Sequence, residues 1–337
     1  MEEEFGILGT YALEYRPDSR NGKDGIQGAF VDKIVHTFQY RSMRNTIALA
    51  AAMAMLVSSC AISKLGTRAT ESFMSEEDPD LVEDSLPVLL KASEILADSN
   101  PKDNGRAVTA ASLAAMYAAG FVSADAAGIP TDEVDARMEA NLRAKRLFMR
   151  AFRRMSDALD RRVKGLMAAL SSGDASGLRR LKVKDVPLLY WGSASALGAF
   201  SLDPFDPSAS KHLASAVALL ERALELEPDW NYGALQELVV SLAPSLPEGL
   251  GGGMERAETA YRRSLAAAKG LRASPYVSYA SSVCVARQDY PAFKEALEAA
   301  LAIDVDADPS GRLANVIAQR NARRLLASAP ELFLILE

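Results

Sequence analysis

The chain has 337 residues, of which 49% are hydrophobic and 24% charged, and its formal net charge is −6. This composition is typical of globular proteins, and the length allows one large or two modest domains. The mild acidity argues against nucleic acid as a main partner. With only two histidines, His36 and His212, chemistry centred on histidine is not expected, and neither a cofactor nor a metal is predicted.

A pattern typical of a secretory signal begins at Met43. Arg44 supplies positive charge, and Thr46 to Val57 is an uncharged run that is too short for a membrane span of about 20 residues. The tetrad Val57-Ser58-Ser59-Cys60 follows and resembles the bacterial lipobox, in which the cysteine thiol accepts diacylglycerol. We therefore expect Cys60 to be the lipid-bearing first residue of a membrane-anchored bacterial lipoprotein. The alternative is a buried helix that happens to contain a cysteine.

The lipobox position divides the chain into four parts. Residues 1–42 are interpreted as an over-extended start outside the mature protein, with a genuine cytoplasmic tail as the alternative. Residues 43–59 are the predicted signal peptide, and residues 60–77 are a tether. Residues 78–337 are predicted to form a single all-α domain.

Beyond the tether the chain reads as helices that are separated by Pro, Gly, Asp and Asn. No stretch of alternating β-branched residues is long enough to predict a strand. The first predicted helices are about Leu81–Ala97, Gly105–Ala124 and Thr131–Leu170. After a break at Gly173–Gly177, another helix runs from Asp185 to about Phe200.

The third predicted helix has an apolar stripe on one face and many basic residues elsewhere. The stripe consists of Phe148, Phe152, Met155, Leu159, Val163, Leu166 and Leu170. The basic residues include Arg143, Lys145, Arg146, Arg150, Arg153, Arg154, Arg161, Arg162 and Lys164. They could form a patch for nucleic acid or lipid head groups, but the favoured interpretation is a solvated face partly paired with Asp157 and Asp160.

The C-terminal half contains three segments with the spacing of the second helix of a tetratricopeptide unit. These segments are marked by Ala216, Leu220, Ala223 and Pro228, then Ala257, Tyr261 and Ser264, and finally Phe293, Leu297 and Ala300. The corresponding first helices are Trp230–Leu242 and Pro275–Arg287, and a last helix spans Arg312–Ser328. The predicted fold is therefore an all-α helical-repeat bundle with cryptic tetratricopeptide-like helix pairs.

Several segments, taken in their order and spacing, resemble TatT, the T component associated with tripartite ATP-independent periplasmic (TRAP) transporters. They are Leu188-Leu189-Tyr190-Trp191, the run from Leu226 to Trp230, Gly249-Leu250-Gly251-Gly252, the run from Ser274 to Ala280, Asp304 to Pro309, and Arg312-Leu313-Ala314-Asn315. The resemblance extends from about Asp78 to Phe333.

The resemblance implies a periplasmic lipoprotein that forms a homotrimer, with a hydrophobic cleft or pore in each protomer. It implies association with the solute-binding P component of a TRAP transporter and a hydrophobic ligand such as a lipid or an organic acid. An enzyme is not expected, because no nucleophile triad, metal-ligand set or paired carboxylates can be recognised in the sequence. The alternative function is a tetratricopeptide scaffold lipoprotein for envelope assembly.

Aromatic residues are the first candidates for a ligand cleft or a partner surface. Tyr190 and Trp191 lie in a segment otherwise rich in Ala and Ser, although core packing explains them equally well. Trp230 begins a helix and either faces a partner or packs on the next helix. Tyr276 and Tyr279 share a helix face, and concave helix faces commonly bind partners or ligands.

The last helix carries three polar residues, Arg312, Asn315 and Gln319. They could form the rim of a carboxylate site, in which the arginine guanidinium donates two parallel hydrogen bonds. The favoured alternative is a helix whose polar groups are all satisfied.

Two further features are interpreted as structural rather than functional. The Gly249–Gly253 loop is predicted to be a flexible connection, since it lacks phosphate-loop spacing. Cys284 is predicted to be a buried apolar thiol.

Overall fold

A computed structural model describes residues 72–335. It is 80% helical, and no strand occurs among the described residues, so the predicted all-α class is confirmed. The signal, the start and the lipidation site at Cys60 lie outside these residues.

The main helices, in chain order, are α1 Pro79–Ser99, α2 Asn104–Tyr117, α3 Val134–Arg162, α4 Leu166–Ser171, α5 Val186–Leu202, α6 Leu213–Leu226, α7 Trp230–Leu242, α8 Met254–Ala268, α9 Ser274–Tyr279, α10 Tyr290–Leu301 and α11 Arg312–Ala327. Two of them continue through a π-helical turn. Helix α2 passes through Ala118–Val122 into Ser123–Gly128, and α9 passes through Ala280–Cys284 into Val285–Arg287.

Several helices begin at an aspartate that caps the free backbone N–H groups of the first turn. Asp78 accepts hydrogen bonds from the backbone N–H groups of Asp80 and Leu81, with Pro79 as the first helical residue. Asp289 accepts one from Ala292 in the same way at the start of α10. Aspartate followed closely by proline therefore encodes these helix starts in the sequence.

The N-terminal half is a bundle in which α3 packs against both α2 and α5. Its core contains Met155 and Leu159 of α3 and Leu189 of α5, all fully buried. Helix α2 presents buried alanines to its neighbours, which allows close helix approach. With its continuation to Gly128, α2 is, within residues 72–335, the one helix long and apolar enough to cross a membrane. Because it packs on α1, α3 and α5, we interpret it as a core helix.

Helix α3 ends eight residues earlier than predicted, at Arg162 rather than at Leu170. Gly165 adopts φ +76°, a left-handed conformation that glycine adopts without strain, and α4 restarts at Leu166. Val163, Leu166 and Leu170 nevertheless stay buried in the same core. The apolar periodicity therefore continues across the interruption of the helix. For this reason periodicity alone could not locate the end of α3.

The basic face of α3 makes ion pairs with other elements rather than along its own helix. Lys145 pairs with Asp203 and Asp206 at 2.7 Å each. Arg150, Arg154 and Arg162 pair with Glu94, Asp98 and Asp185 respectively. The predicted pairing with Asp157 and Asp160 is wrong for the described ion pairs, since Asp160 instead accepts the backbone N–H of Met167 at 2.9 Å. These bonds attach α1 and both ends of α5 to α3.

In the C-terminal half α7 packs against α8, and α10 packs against α9 and α11. Most positions predicted for the repeat are buried, namely Ala216, Leu220, Ala223, Ala257, Ser264, Phe293, Leu297 and Ala300, while Tyr261 is half-buried. The repeat assignment itself stays a prediction. The Gly249–Gly253 loop is a compact turn rather than a loose linker, because Gly252 and Gly253 donate backbone hydrogen bonds to Pro247 and Ala243.

Candidate functional site

The predicted aromatic residues Tyr190, Trp191 and Trp230 form one cluster where α5 meets the start of α7. The ring centroids of Tyr190 lie 4.9 Å from Trp191 and 4.6 Å from Trp230. All three side chains are half-buried. Because they are neither sealed in the core nor fully exposed, they present aromatic surface at the wall of the N-terminal bundle.

A second cluster joins Tyr276 and Tyr279 of α9 to Tyr261 of α8. The rings of Tyr261 and Tyr279 stack in parallel with centroids 4.0 Å apart, and the ring of Tyr276 meets that of Tyr261 edge-on at 6.2 Å. Burial raises the pKa of Tyr261, so its hydroxyl stays protonated. The sequence predicted Tyr261 only as a repeat position. It did not predict that the ring of Tyr261 contacts the rings of both Tyr276 and Tyr279.

Glu237 of α7 links the two clusters, and sequence reasoning missed it. Its charge acts on Tyr190 of the first cluster, although left-handed backbone at Asn231, Tyr232 and Gly233 interrupts α7 between Trp230 and Glu237. Its Oε1 accepts a hydrogen bond of 3.0 Å from the Ser274 hydroxyl at the start of α9. The signal in the sequence was a carboxylate next to the hydrophobic residues Leu238, Val239 and Val240.

The environment of Glu237 is enclosed but reachable by solvent. Burial raises its pKa to about 7, although the Ser274 hydrogen bond and the charge of Arg272 act in the opposite direction. Burial, with the nearby charge of Glu237, also raises the pKa of Tyr190. Both side chains still keep some solvent-accessible surface.

Arg272 lies near this carboxylate but is held by other partners. Its guanidinium stacks over the ring of Tyr232, with Cζ 3.7 Å from the centroid. It also donates a hydrogen bond of 2.7 Å to Asp308. The positive charge of Arg272 is therefore already paired with the carboxylate of Asp308.

The polar set of α11 is engaged in structural hydrogen bonds. Asn315 accepts the backbone N–H of Ala273 and donates to the carbonyl of Leu271, both at 3.0 Å. Gln319 donates to three backbone carbonyls at the end of α10, with the shortest bond, 2.8 Å, to Ile303. Arg312 pairs with Asp306 at 2.8 Å. For Asn315 and Gln319 these bonds favour the alternative of satisfied polar groups over a carboxylate site, whereas the Nε of Arg312 is buried without a hydrogen-bond partner.

Cys284 is fully buried, as predicted. Burial raises the pKa of its thiol to about 12, so the reactive thiolate is not populated near neutral pH. His212 packs its ring 4.6 Å from that of Phe152, and burial lowers its pKa. Within residues 72–335, no group of three or more His, Cys, Asp or Glu side chains is placed to hold a metal ion.

Two cavities lie away from the aromatic clusters. One, of about 630 Å³, lies between the N-terminal half of α3 and the end of α5, and Met138 and Lys145 contribute to its lining. Another, of about 340 Å³, is lined by Arg150, Arg153 and other basic residues of α3 together with the end of α1.

The fold is an all-α bundle that carries two half-buried aromatic clusters and one half-buried carboxyl group. The family model of the TRAP transporter T-component (TatT) matches residues 75–333, and the chain belongs to this family. A protein of Treponema pallidum (strain Nichols), described as uncharacterized, is 34% identical over 269 residues, which are 79% of this chain and 83% of that protein. The resemblance drawn from the sequence segments is thus confirmed, and the family is one of transporter accessory components.

Proposed function

We propose that the protein is a periplasmic, lipid-anchored accessory subunit of a TRAP transport system. In this role it binds the solute-binding P component and receives or delivers a hydrophobic ligand through its aromatic cleft, without catalysing a reaction. The observation that carries the proposal is the family match over residues 75–333.

The ligand part of the proposal is supported by the two half-buried aromatic clusters. Aromatic and apolar linings with few polar groups are typical of small-molecule sites. The two clusters come from α5 with α7 and from α8 with α9, and Glu237 connects them through Ser274. An apolar ligand held there would touch both halves of the fold.

A direct test measures partner capture and ligand content together. Affinity-tagged full-length chain, expressed in its own host, is expected to retain a periplasmic solute-binding protein and to release a hydrophobic compound on solvent extraction. Trp230→Ala is expected to lose the compound, while Phe205→Ala, which removes an aromatic side chain that is 95% exposed, keeps it. Failure to retain a solute-binding protein would contradict the TRAP role and favour an envelope scaffold.

The anchor is supported by the lipobox-like tetrad that ends at Cys60. Two or three acyl chains hold a protein on a bilayer far more firmly than the marginal binding of one chain. Cys60→Ser is therefore expected to yield an unlipidated, soluble protein with an intact fold. Cys284→Ser, which changes the buried thiol, is expected to remain with the membranes. A Cys60→Ser protein that still partitions wholly with membranes would exclude Cys60 as the sole anchor.

Self-association as a trimer is supported by an apolar stripe on α1. Leu81, Val88 and Ile95 are spaced by seven residues and are 57%, 73% and 61% exposed. A seven-residue apolar spacing suits packing against another helix. Val88→Glu is expected to reduce the mass measured by light scattering from three chains to one, while Lys91→Glu on the same helix leaves it unchanged. A wild-type mass of one chain would contradict the trimer.

A further inference from the structure

We infer that the cavity of about 340 Å³ between the end of α1 and the basic face of α3 is a binding site for a phosphate group. The guanidinium groups of Arg153 and Arg161 are its charged contacts. None of the clustered aromatic residues lines this cavity, so the site does not depend on the proposed function. The phosphate belongs to a small soluble ester or to the head group of a membrane lipid, and both present the same oxyanion.

Helix α3 supplies the charge of this cavity. The α3 side chains that line it are Arg150, Arg153, Arg154, Asp157 and Arg161. They recur at intervals of three or four residues and therefore form one stripe along one face of the helix. The opposite wall, from the end of α1 to the first turn of α2, contains Ala97, Asp98, Pro101 and Ala107.

Two of the four arginines are already paired with carboxylates of α1. Arg150 pairs with Glu94 at 2.5 Å, and Arg154 pairs with Asp98 at 2.9 Å. These ion pairs hold the end of α1 against α3, so the two walls of the cavity stand at a fixed separation. The paired arginines therefore shape the site, and the other two remain for a ligand.

Arg153 and Arg161 are exposed, and neither makes an ion pair within residues 72–335. They lie about two helical turns apart, one on each side of Asp157 along the stripe. A guanidinium group donates two parallel hydrogen bonds to an oxyanion. Two such groups that line one cavity suit a phosphate, which has enough oxygens to accept from both.

The charge balance of the cavity favours an anion with more than one charge. The lining holds four arginines and two aspartates, and one positive charge is still in excess when Glu94, the partner of Arg150, is included. A phosphate monoester carries about two negative charges near neutral pH and has three terminal oxygens that accept hydrogen bonds. A carboxylate carries one charge on two oxygens, and it is therefore expected to bind more weakly.

Calorimetric titration of the full-length chain with Cys60→Ser measures this preference without detergent. At pH 7.5 and low salt, glycerol 3-phosphate is expected to bind about tenfold more tightly than acetate, the size of one charge-assisted hydrogen bond. Acetate binding as tight as that of glycerol 3-phosphate, or no binding of glycerol 3-phosphate, would overturn the site.

Substitutions in the stripe locate the binding. Arg153→Gln and Arg161→Gln are each expected to weaken glycerol 3-phosphate about tenfold. Asp157→Asn removes the carboxylate that repels the ligand and is expected to tighten it. The matched control is Arg146→Gln, which makes the same charge change at an exposed position one turn before Arg150 and outside the lining. It should keep the affinity within about twofold.

All of these side chains are exposed, so the variants are expected to melt like the wild-type protein, and the opposite effect expected for Asp157→Asn provides an independent measurement. Equal weakening by Arg146→Gln and Arg153→Gln would reduce the binding to diffuse attraction by a basic surface and would overturn the site. So would unchanged or weaker binding in Asp157→Asn.

Vesicle sedimentation identifies the source of the phosphate. For a lipid head group, the protein is expected to sediment with vesicles of phosphatidylcholine mixed equally with phosphatidic acid, but not with phosphatidylcholine alone, and Arg153→Gln should stay in the supernatant. For a small soluble ester, the protein binds glycerol 3-phosphate and stays in the supernatant with both vesicles. Sedimentation with the mixed vesicles that is identical in Arg153→Gln would exclude this cavity as the lipid site.

Discussion

The Ser274 hydroxyl donates a hydrogen bond of 3.0 Å to Glu237, and this bond joins α7 to the first residue of α9. Trp230 lies on α7, while Tyr276 and Tyr279 lie on α9. One part-buried polar contact thus joins the helix that begins at Trp230 to the helix that carries Tyr276 and Tyr279. It does so without an ion pair, because the nearby Arg272 is paired with Asp308.

Glu237 makes the stability of the fold depend on pH. Its pKa is raised from 4.5 to about 7, so the folded state binds the proton more tightly than the unfolded state. The stabilisation is fully present below pH 4.5 and is lost as the pH rises towards 7. The free energy of unfolding should therefore fall over this window relative to Glu237→Gln, by about 2–3 kcal/mol.

Urea unfolding of both proteins at pH 5, 6, 7 and 8 measures this difference. Glu255→Gln provides the matched control, since its side chain is exposed and should follow the wild-type curve. A constant difference between wild type and Glu237→Gln across the four pH values would show that the carboxyl group titrates normally in the folded protein.

The turn between α7 and α8 depends on glycine at one position and not at another. A Cβ atom at Gly252 would lie 1.8 Å from the backbone oxygen of Leu246, whereas one at Gly249 would have no neighbour within 4 Å. Gly252→Ala must displace backbone and is expected to destabilise the protein by about 3 kcal/mol or more. Gly249→Ala should stay within about 0.5 kcal/mol of wild type.

Thermal unfolding of the two alanine variants distinguishes a closely packed turn from the flexible connection predicted from the sequence. If the loop were flexible, both substitutions would be tolerated equally. Near-identical melting temperatures for Gly252→Ala and Gly249→Ala would therefore contradict the close packing of Gly252 on Leu246.

The sequence was sufficient for the fold class and for most members of the two candidate aromatic clusters. Helical periodicity and aspartate caps located the helices, and Tyr190, Trp191 and Trp230 stood out as large rings among small residues. The end of α3 could not be located, because the apolar period continues into α4 and the only local signal is Gly165.

Glu237 and Tyr261 were missed for a different reason. Their importance comes from partners that are distant in sequence, such as Ser274 for Glu237, 37 residues away. For Asn315 and Gln319, a shared helix face suggested a carboxylate site, while the favoured interpretation was a helix with satisfied polar groups. Their partners are backbone groups of neighbouring helices, which no side-chain pattern reveals.

Gln319 satisfies three backbone carbonyls at the end of α10 and is itself buried. Gln319→Ala removes the amide donor from the carbonyls of Leu301 and Ile303, whereas Ala300 still accepts the backbone N–H of Ile303 at 3.4 Å. This loss is expected to lower the free energy of unfolding by about 2 kcal/mol. Arg323→Ala, at an exposed position one turn later on α11, should change it by less than about 0.5 kcal/mol. Chemical denaturation compares the two, and equal losses would argue against the capping role.

Arg162 and Asp185 tie the end of α3 to the start of α5 through two hydrogen bonds, Nε to Oδ1 at 2.8 Å and Nη2 to Oδ2 at 3.0 Å. Asp185 is buried, and burial alone would raise its pKa, but the bonds from Arg162 and the Lys182 backbone lower it overall. Arg162→Met leaves a buried carboxylate without its cation and is expected to cost about 3 kcal/mol at neutral pH.

The pH dependence of this loss identifies its cause. Because the folded pKa of Asp185 is depressed, its contribution is present above pH 3.8 and is lost as the pH falls below that value. The destabilisation by Arg162→Met should accordingly shrink in acid, and Arg162→Met combined with Asp185→Asn should lose less than the sum of the single variants. Arg161→Met, the exposed neighbour, should behave as wild type throughout. Additive losses that do not change with pH would instead mean that Arg162 contributes only through the packing of its aliphatic stem.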